Sequence, residues 1–242
     1  MISRSNLVRN TYRRKVAPTK LQFQTLFHSY ATTMSKGSPY DAKIDSIEPL
    51  SNGKWIQTRK IKYTDPTGKP REWEMAVRTT RSETTNIDAV SIAAFLKYQD
   101  KPTEIVLTKQ FRPPTEKVVV ELPAGLIDPN ESVESTAIRE LHEETGYRGT
   151  FVKSSSSLIG VYSDPGLTNA NMDLAVVDVD LSNPENQNPK AQLEDGEFID
   201  VVTVPIDGLL DELHRLAKDE GCVVDARLYH FAVGIDVAKN YL

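Results

Sequence analysis

Glu140, Glu143 and Glu144 lie within five residues of one another in the segment GLIDPNESVESTAIRELHEETGY, which runs from Gly125 to Tyr147. A helix turns through 3.6 residues, so Glu140 and Glu144 fall one turn apart on one face, with Glu143 beside them. Like charges at that spacing cost roughly 0.2–0.5 kcal/mol per pair. Something must offset that cost, and clusters of carboxylate oxygens suit hard divalent cations. The spacing is G-x5-E-x7-R-E-L-x-E-E-x-G, with Gly125, Glu131, Arg139, Glu140, Glu143, Glu144 and Gly146 at the fixed places. Three glutamates alone would read as a solvated acidic helix with an ordinary Arg139–Glu143 surface pair. The full spacing with both glycines sets that reading aside.

The residues around the glutamates predict a loop, a helix and a second loop. Gly125 can adopt backbone angles closed to other residues, and Asp128-Pro129-Asn130 is turn chemistry. Ser132 is placed to cap a helix whose buried stripe is Val133, Ala137, Ile138 and Leu141, and Gly146 follows as its terminator. Arg139 is expected to pair with Glu143 or Glu131. A strand over 118–122 leads into the glycine loop. Further strands are predicted over 55–64 and 71–79, joined by the turn Asp65-Pro66-Thr67-Gly68-Lys69, and over 89–98, 104–111, 158–162, 173–179 and 197–204. Helices are predicted over 206–218 and 226–239, the latter with Ala226, Leu228, Phe231, Ala232 and Ile235 as its apolar face. Hairpin-paired strands interspersed with helices predict a mixed α/β fold without Rossmann alternation.

The segment 125–147 resembles the signature box of the Nudix hydrolases at every charged and glycine position; Tyr147 stands where that family usually has an aliphatic residue. The resemblance implies a mixed β-sheet sandwiched between helices, and hydrolysis of a nucleoside diphosphate linked to another moiety. It implies Glu140 and Glu144 as metal ligands, with the Ala124 carbonyl as a third, Glu143 as a supporting ligand and Arg139 holding the carboxylates in position. The expected ion is Mg²⁺, with Mn²⁺ as the other option.

Outside the box, GKW (53–55), REWE (71–74), VRTTR (77–81), KQFRPP (109–114), ELPAGLID (121–128), SDPGL (163–167), DGEF (195–198) and VDARLY (224–229) resemble the eukaryotic ADP-ribose/ADP-sugar pyrophosphatases in collinear order. That resemblance implies that Trp55 and Trp73 clamp adenine, one from each subunit of a swapped homodimer, and that Glu74 accepts from the adenine amino group. Stacking of this kind contributes about 1–3 kcal/mol per base. Arg78 and Arg112 would contact the diphosphate, since a guanidinium can bridge two phosphate oxygens. Asp164 would hold hydroxyls of the terminal ribose, with Leu167 lining that pocket. Glu197 would be a mobile catalytic or metal-binding glutamate. The activity implied is conversion of ADP-ribose and water to AMP and ribose 5-phosphate. Two alternatives remain open at this point: a hydrolase for oxidised nucleoside diphosphates on the same fold, and a non-catalytic ADP-ribose sensor.

The whole chain sets outer limits on these expectations. It has 242 residues, 39% of them hydrophobic and 26% charged, and no run of apolar residues long enough to span a membrane. One cysteine, Cys222, excludes an intramolecular disulfide and a cysteine-based zinc cluster. The net charge is −5, but residues 1–40 hold seven basic residues and no acid precedes Asp41, which leaves the remainder at −12. An acidic body argues against nucleic acid as a partner. The organisation expected is a basic leader over 1–40, an N-terminal β segment used for dimerisation over 41–85, and the hydrolase domain over 86–242. The leader fits a mitochondrial transit peptide, and Met34 offers a second start for a cytosolic form.

Overall fold

The computed structural model describes residues 37–155 and 161–241. Most of the basic leader, Met34 included, and most of the strand expected over 158–162 lie outside the described residues; Tyr162 forms only an isolated bridge to Asn171. The chain runs β1 (Lys43–Pro49), β2 (Ile56–Thr64), β3 (Pro70–Arg78), β4 (Ala89–Lys97), β5 (Glu104–Arg112), β6 (Lys117–Glu121), β7 (Ala124–Leu126), α1 (Val133–Thr145), β8 (Thr150–Ser154), β9 (Met172–Asp180), β10 (Ile199–Pro205), α2 (Leu209–Asp219), β11 (Val223–Val224) and α3 (Ala226–Tyr241).

β1–β3 form an antiparallel sheet of their own, and the other strands form a second sheet in the order β11-β6-β5-β4-β9-β8, with β10 on β5 and β7 on β4. The β4–β9 and β6–β11 pairs are parallel and the rest antiparallel, so the large sheet is mixed. Its central strand β4 is apolar at almost every position because both of its faces are covered. Val90, Ile92, Ala94 and Leu96 pack with Ala137 and Leu141 of α1. Ala93 turns to the opposite core, with Leu209, Leu213 and Leu216 of α2 and Leu228 and Ala232 of α3. The sheet is thus sandwiched between helices.

Several features depart from the sequence expectation. Gly125 is a strand residue in β7, not part of a loop, and its backbone is not left-handed. β4 and β5 stay paired only at Phe95 and Leu96, and the gap beyond is filled by β7, with Val90 opposite Gly125. That pairing is non-local, so no local pattern announces it. Glu197 precedes β10 in a tight turn rather than opening the strand, α2 begins at Leu209 after Gly208, and Ala226 is exposed. β1, β8 and the two-residue β11 have no counterpart in the sequence reading.

Candidate active site

The helix α1 carries the glutamates because local chemistry fixes both of its ends. The Ser132 hydroxyl accepts from the Ser135 N–H, and the Ser135 side chain accepts from the Ser132 N–H, a reciprocal cap. At the other end Gly146 is left-handed (φ 78°), and its N–H bonds the His142 carbonyl. Ala137 and Leu141 anchor the inner face, with Val133 and Ile138 at its margin. The outer turn holds Glu140, Glu143 and Glu144 against β7.

Glu144 is 7% exposed, and its Oε2 accepts from the Ala124 N–H at 3.0 Å. Burial pushes its carboxyl up to about 8; the charges of Glu140 and Glu197 add to the shift, while the Ala124 N–H and Arg112 oppose it. Glu140 is likewise raised by burial, with Glu143 and Glu197 adding and Arg139 opposing. A Cβ on Gly125 would lie 1.9 Å from the Glu140 carboxyl carbon. Glycine here leaves room for the Glu140 carboxyl against the strand, and does not serve by backbone freedom.

Arg139 organises the carboxylates. Its Nε and Nη2 donate to Glu131 at 2.9 and 2.8 Å, Nη1 donates to Glu140 and to Glu143 at 2.9 Å each, and Nη2 also reaches the Leu126 carbonyl at 3.3 Å. It pairs with both of the partners that the sequence offered as alternatives, and with Glu140 as well. Hydrogen bonds from Arg139 hold the Glu131 carboxyl down to about 2.

These residues fit a divalent cation by the chemistry of their unused donors. Among the described residues Glu140 Oε2 and Glu144 Oε1 accept no hydrogen bond, and neighbouring like charges raise the proton affinity of both carboxylates, Glu143 and Glu197 acting on Glu140, and Glu140 and Glu197 on Glu144. Among those residues no three carboxylate, imidazole or thiolate groups converge closely enough to hold an ion by themselves. A site would therefore need a further oxygen, which the Ala124 carbonyl is near enough in sequence and space to supply.

The remaining candidates fall into two groups. Near the carboxylates, Arg112 is held by Glu121, with Nε and Nη2 donating to one oxygen at 2.9 and 2.7 Å. The carboxyl of Glu197 accepts from the Glu194 N–H at 3.0 Å across the turn that precedes β10. The second group lies between the small sheet and the 161–171 loop. Trp73 is 49% exposed, and its Nε1 donates to the Gly166 carbonyl at 3.1 Å. With Leu167, Tyr162, Pro165 and Met75 it lines a cavity of about 200 Å³. The Asp164 carboxylate accepts from the Gly166 N–H at 3.2 Å, which shapes the same loop. Arg78 lines an adjoining cleft of about 390 Å³ with Leu167, Asp88 and Arg227.

Successive strand residues point to opposite faces, so Glu74 and Trp73 diverge in β3. Trp55 is 62% exposed, beneath the Lys54 ammonium 4.4 Å from its ring. Ile56, the neighbour of Trp55, pairs with Arg78, while Ile61 pairs with Trp73. Six residues of strand, about 20 Å, thus separate the two tryptophans. They are not brought together within one chain.

Sequence reasoning did not single out Glu121, Asp88 or Arg81 as partners in this region. Glu121 sat in a quoted motif, and only its alternation with the buried Val120 and Leu122 hinted that it faces the site.

A NUDIX domain match spans residues 85–226, more than half of the chain. The chain belongs to the Nudix hydrolase family. An ADP-ribose pyrophosphatase of Saccharomyces cerevisiae is 47% identical over 94% of this Nudix chain and 97% of its own length. An ADP-sugar pyrophosphatase of Mus musculus is 37% identical over 85% of this chain and 93% of its own. A solved structure described as an ADP compounds hydrolase superposes with a TM-score of 0.56, covering 84% of this chain and 98% of that one; at 19% identity the likeness is one of fold. Nudix hydrolases act with a divalent metal, in keeping with the carboxylate cluster on α1.

Proposed function

We propose that this Nudix hydrolase cleaves the diphosphate of ADP-ribose and related ADP-sugars with Mg²⁺, converting ADP-ribose and water to AMP and ribose 5-phosphate. The observation that carries the reading is Trp73 seated on the loop of Asp164 and Leu167, where its ring lines a cavity. Its N–H lies at the ring edge and is spent on Gly166, so the ring face stays free to stack on a base. The yeast and mouse relatives named for ADP-ribose and ADP-sugars support the same substrate class.

When bound, the metal neutralises charge on the phosphate oxygens and activates water. In this reading Glu140 and Glu144 supply the unused carboxylate oxygens and Ala124 its carbonyl. Arg139 keeps Glu140 and Glu143 from turning away. Arg112, oriented by Glu121, offers its remaining N–H groups to the diphosphate, and Arg78 approaches from the other side. Glu197 would give up its hydrogen bond from the Glu194 N–H as substrate arrives, and would then orient the attacking water or help hold the metal. Asp164 and Leu167 receive the distal ribose. The expected result is metal-dependent turnover of ADP-ribose and other ADP-sugars, with AMP as product, in preference to NADH and oxidised guanosine diphosphates, read by chromatography over that panel. Equal turnover of the whole panel would refute the assignment.

The base clamp is proposed to need two chains, because the tryptophans of one chain stand about 20 Å apart along the strand. No residue of β1–β3 is buried, and Ile44, Ile47, Leu50 and Ile56 are exposed, which supports a second copy as the cover. Mixing Trp55→Ala chains with Arg112→Ala chains should restore activity above either parent. In such a heterodimer one site carries both defects and the other carries neither. Absence of recovery after verified subunit exchange would rule out a clamp shared between subunits.

A further inference from the structure

Asp88 is 1% exposed and stands where three functional segments meet. Arg81, just beyond β3, donates from Nε to Asp88 Oδ1 at 3.1 Å and from Nη2 to Asp88 Oδ2 at 2.7 Å. The same Nη2 donates to the Asn169 carbonyl at 2.5 Å, in the loop that bears Asp164 and Leu167. Asp88 Oδ2 also accepts from the Asn171 N–H at 2.9 Å, and the Asn171 side-chain oxygen accepts from the Asp88 N–H at 3.0 Å. The Asp88 carbonyl accepts from the Ile127 N–H at 3.2 Å, directly after β7. One ion pair thus ties the exit of β3, the substrate loop and the strand of the box.

We propose that Arg81 and Asp88 are positioning residues for diphosphate cleavage, a buried clasp that sets the spacing between the base-side surface of Trp73 and Arg78 and the glutamates of α1. This deepens the ADP-ribose reading and rests on it. The small sheet has no buried residue to fix it by area, so directional bonds must do so. Those bonds converge on the same loop: Ala76 N–H to Leu167 O at 2.9 Å, Thr168 Oγ1 to Ala76 O at 2.8 Å, and Trp73 Nε1 to Gly166 O. The other end of the loop, at 169–171, is held by the clasp. A shift there moves Trp73 and Leu167 together relative to Ala124 and Glu144. A planar guanidinium suits the task because it reaches acceptors on two segments at fixed angles, which a single ammonium cannot do. A buried ion pair is also a poor device for stability alone, since hydrophobic replacements often match or exceed it.

Two variants separate positioning from stability. Arg81→Lys keeps the charge beside Asp88 and loses the fork to Asn169. It should fold with a near-normal Tm, raise KM for ADP-ribose about tenfold and leave kcat within about threefold. Arg81→Met/Asp88→Asn removes both charges and keeps the acceptor for the Asn171 N–H. It should regain the Tm lost by Arg81→Met alone without regaining the low KM. A folded Arg81→Lys with wild-type KM, or a KM that recovers in step with Tm in the double variant, would overturn the clasp. Wild-type turnover of ADP-ribose is measured first. If it is nil, the substrate reading fails by itself, and the KM comparison moves to the best substrate of the panel, where the same outcomes decide.

Discussion

Glu144→Gln is expected to lower kcat by about 10²–10³-fold while leaving the fold intact. The amide oxygen of glutamine can still accept the Ala124 N–H, so the contact at 3.0 Å survives and only the charge is lost. That charge matters most when negative charge builds up on the diphosphate around a bound cation, which is why kcat should fall more than KM rises. Steady-state kinetics at saturating Mg²⁺ read the effect, and wild-type turnover would remove Glu144 from the ligand set. The same substitution has a thermodynamic signature in metal-free protein. Burial lifts Glu144 from its ordinary 4.5 to about 8, so folding favours its protonated form. The resulting stabilisation is complete below pH about 4.5 and is lost as pH rises through about 8. Metal-free wild type should therefore unfold at a lower temperature at pH about 9 than at pH about 6, and Glu144→Gln should flatten that difference.

Arg139→Ala should damage stability and turnover together. It strips hydrogen bonds from three carboxylates at once. Removing one partner of a buried pair costs about 3–5 kcal/mol; with Arg139 29% exposed, screening reduces this to about 2–3 kcal/mol. For a chain of this size that corresponds to a fall in Tm of about 5–10 °C. Below that temperature the protein should still be folded by circular dichroism, yet show kcat reduced by about a hundredfold because Glu140 is no longer held. The Glu131 carboxyl, now held to about 2, should move back towards the ordinary glutamate range in carboxyl NMR titration. Near-normal Tm and turnover would show that the carboxylates hold their places unaided.

The helix of glutamates was legible in the sequence because everything that specifies it is local. The Ser132 cap, the Gly146 stop and the spacing of Glu140 and Glu144 all fall within fifteen residues. The hairpin of β2 and β3 and the buried strand β4 were legible for the same reason, through a turn and an apolar run. What escaped is long-range. Gly125 looked like a loop glycine because its real constraint, the Glu140 side chain 1.9 Å from a hypothetical Cβ, exists only once helix and strand are docked. Arg112 looked free for phosphate, whereas Glu121 across the β5–β6 pair already orients it. Arg81 and Asn169 are 88 positions apart, and nothing in either neighbourhood announces the other. β1 and β8 are mostly exposed and polar, so they lack the alternation that betrays a strand with one buried face.

The open faces of β1–β3 bear on how such a protein can change over generations. Within one chain, substitutions in this sheet remove no buried side chain, so most of those away from the proposed dimer face should cost little folding free energy. The helix α1 and the strand β7 have less latitude, since a methyl group on Gly125 would displace the Glu140 carboxylate, which is proposed to hold the metal. In the proposed reading, bond cleavage and choice of base thus fall on parts of the chain with very different tolerance to drift. A lineage can try new bases and sugars by altering the sheet while the hydrolytic apparatus stays fixed, and descendants should differ in what they accept long before they differ in how they cut.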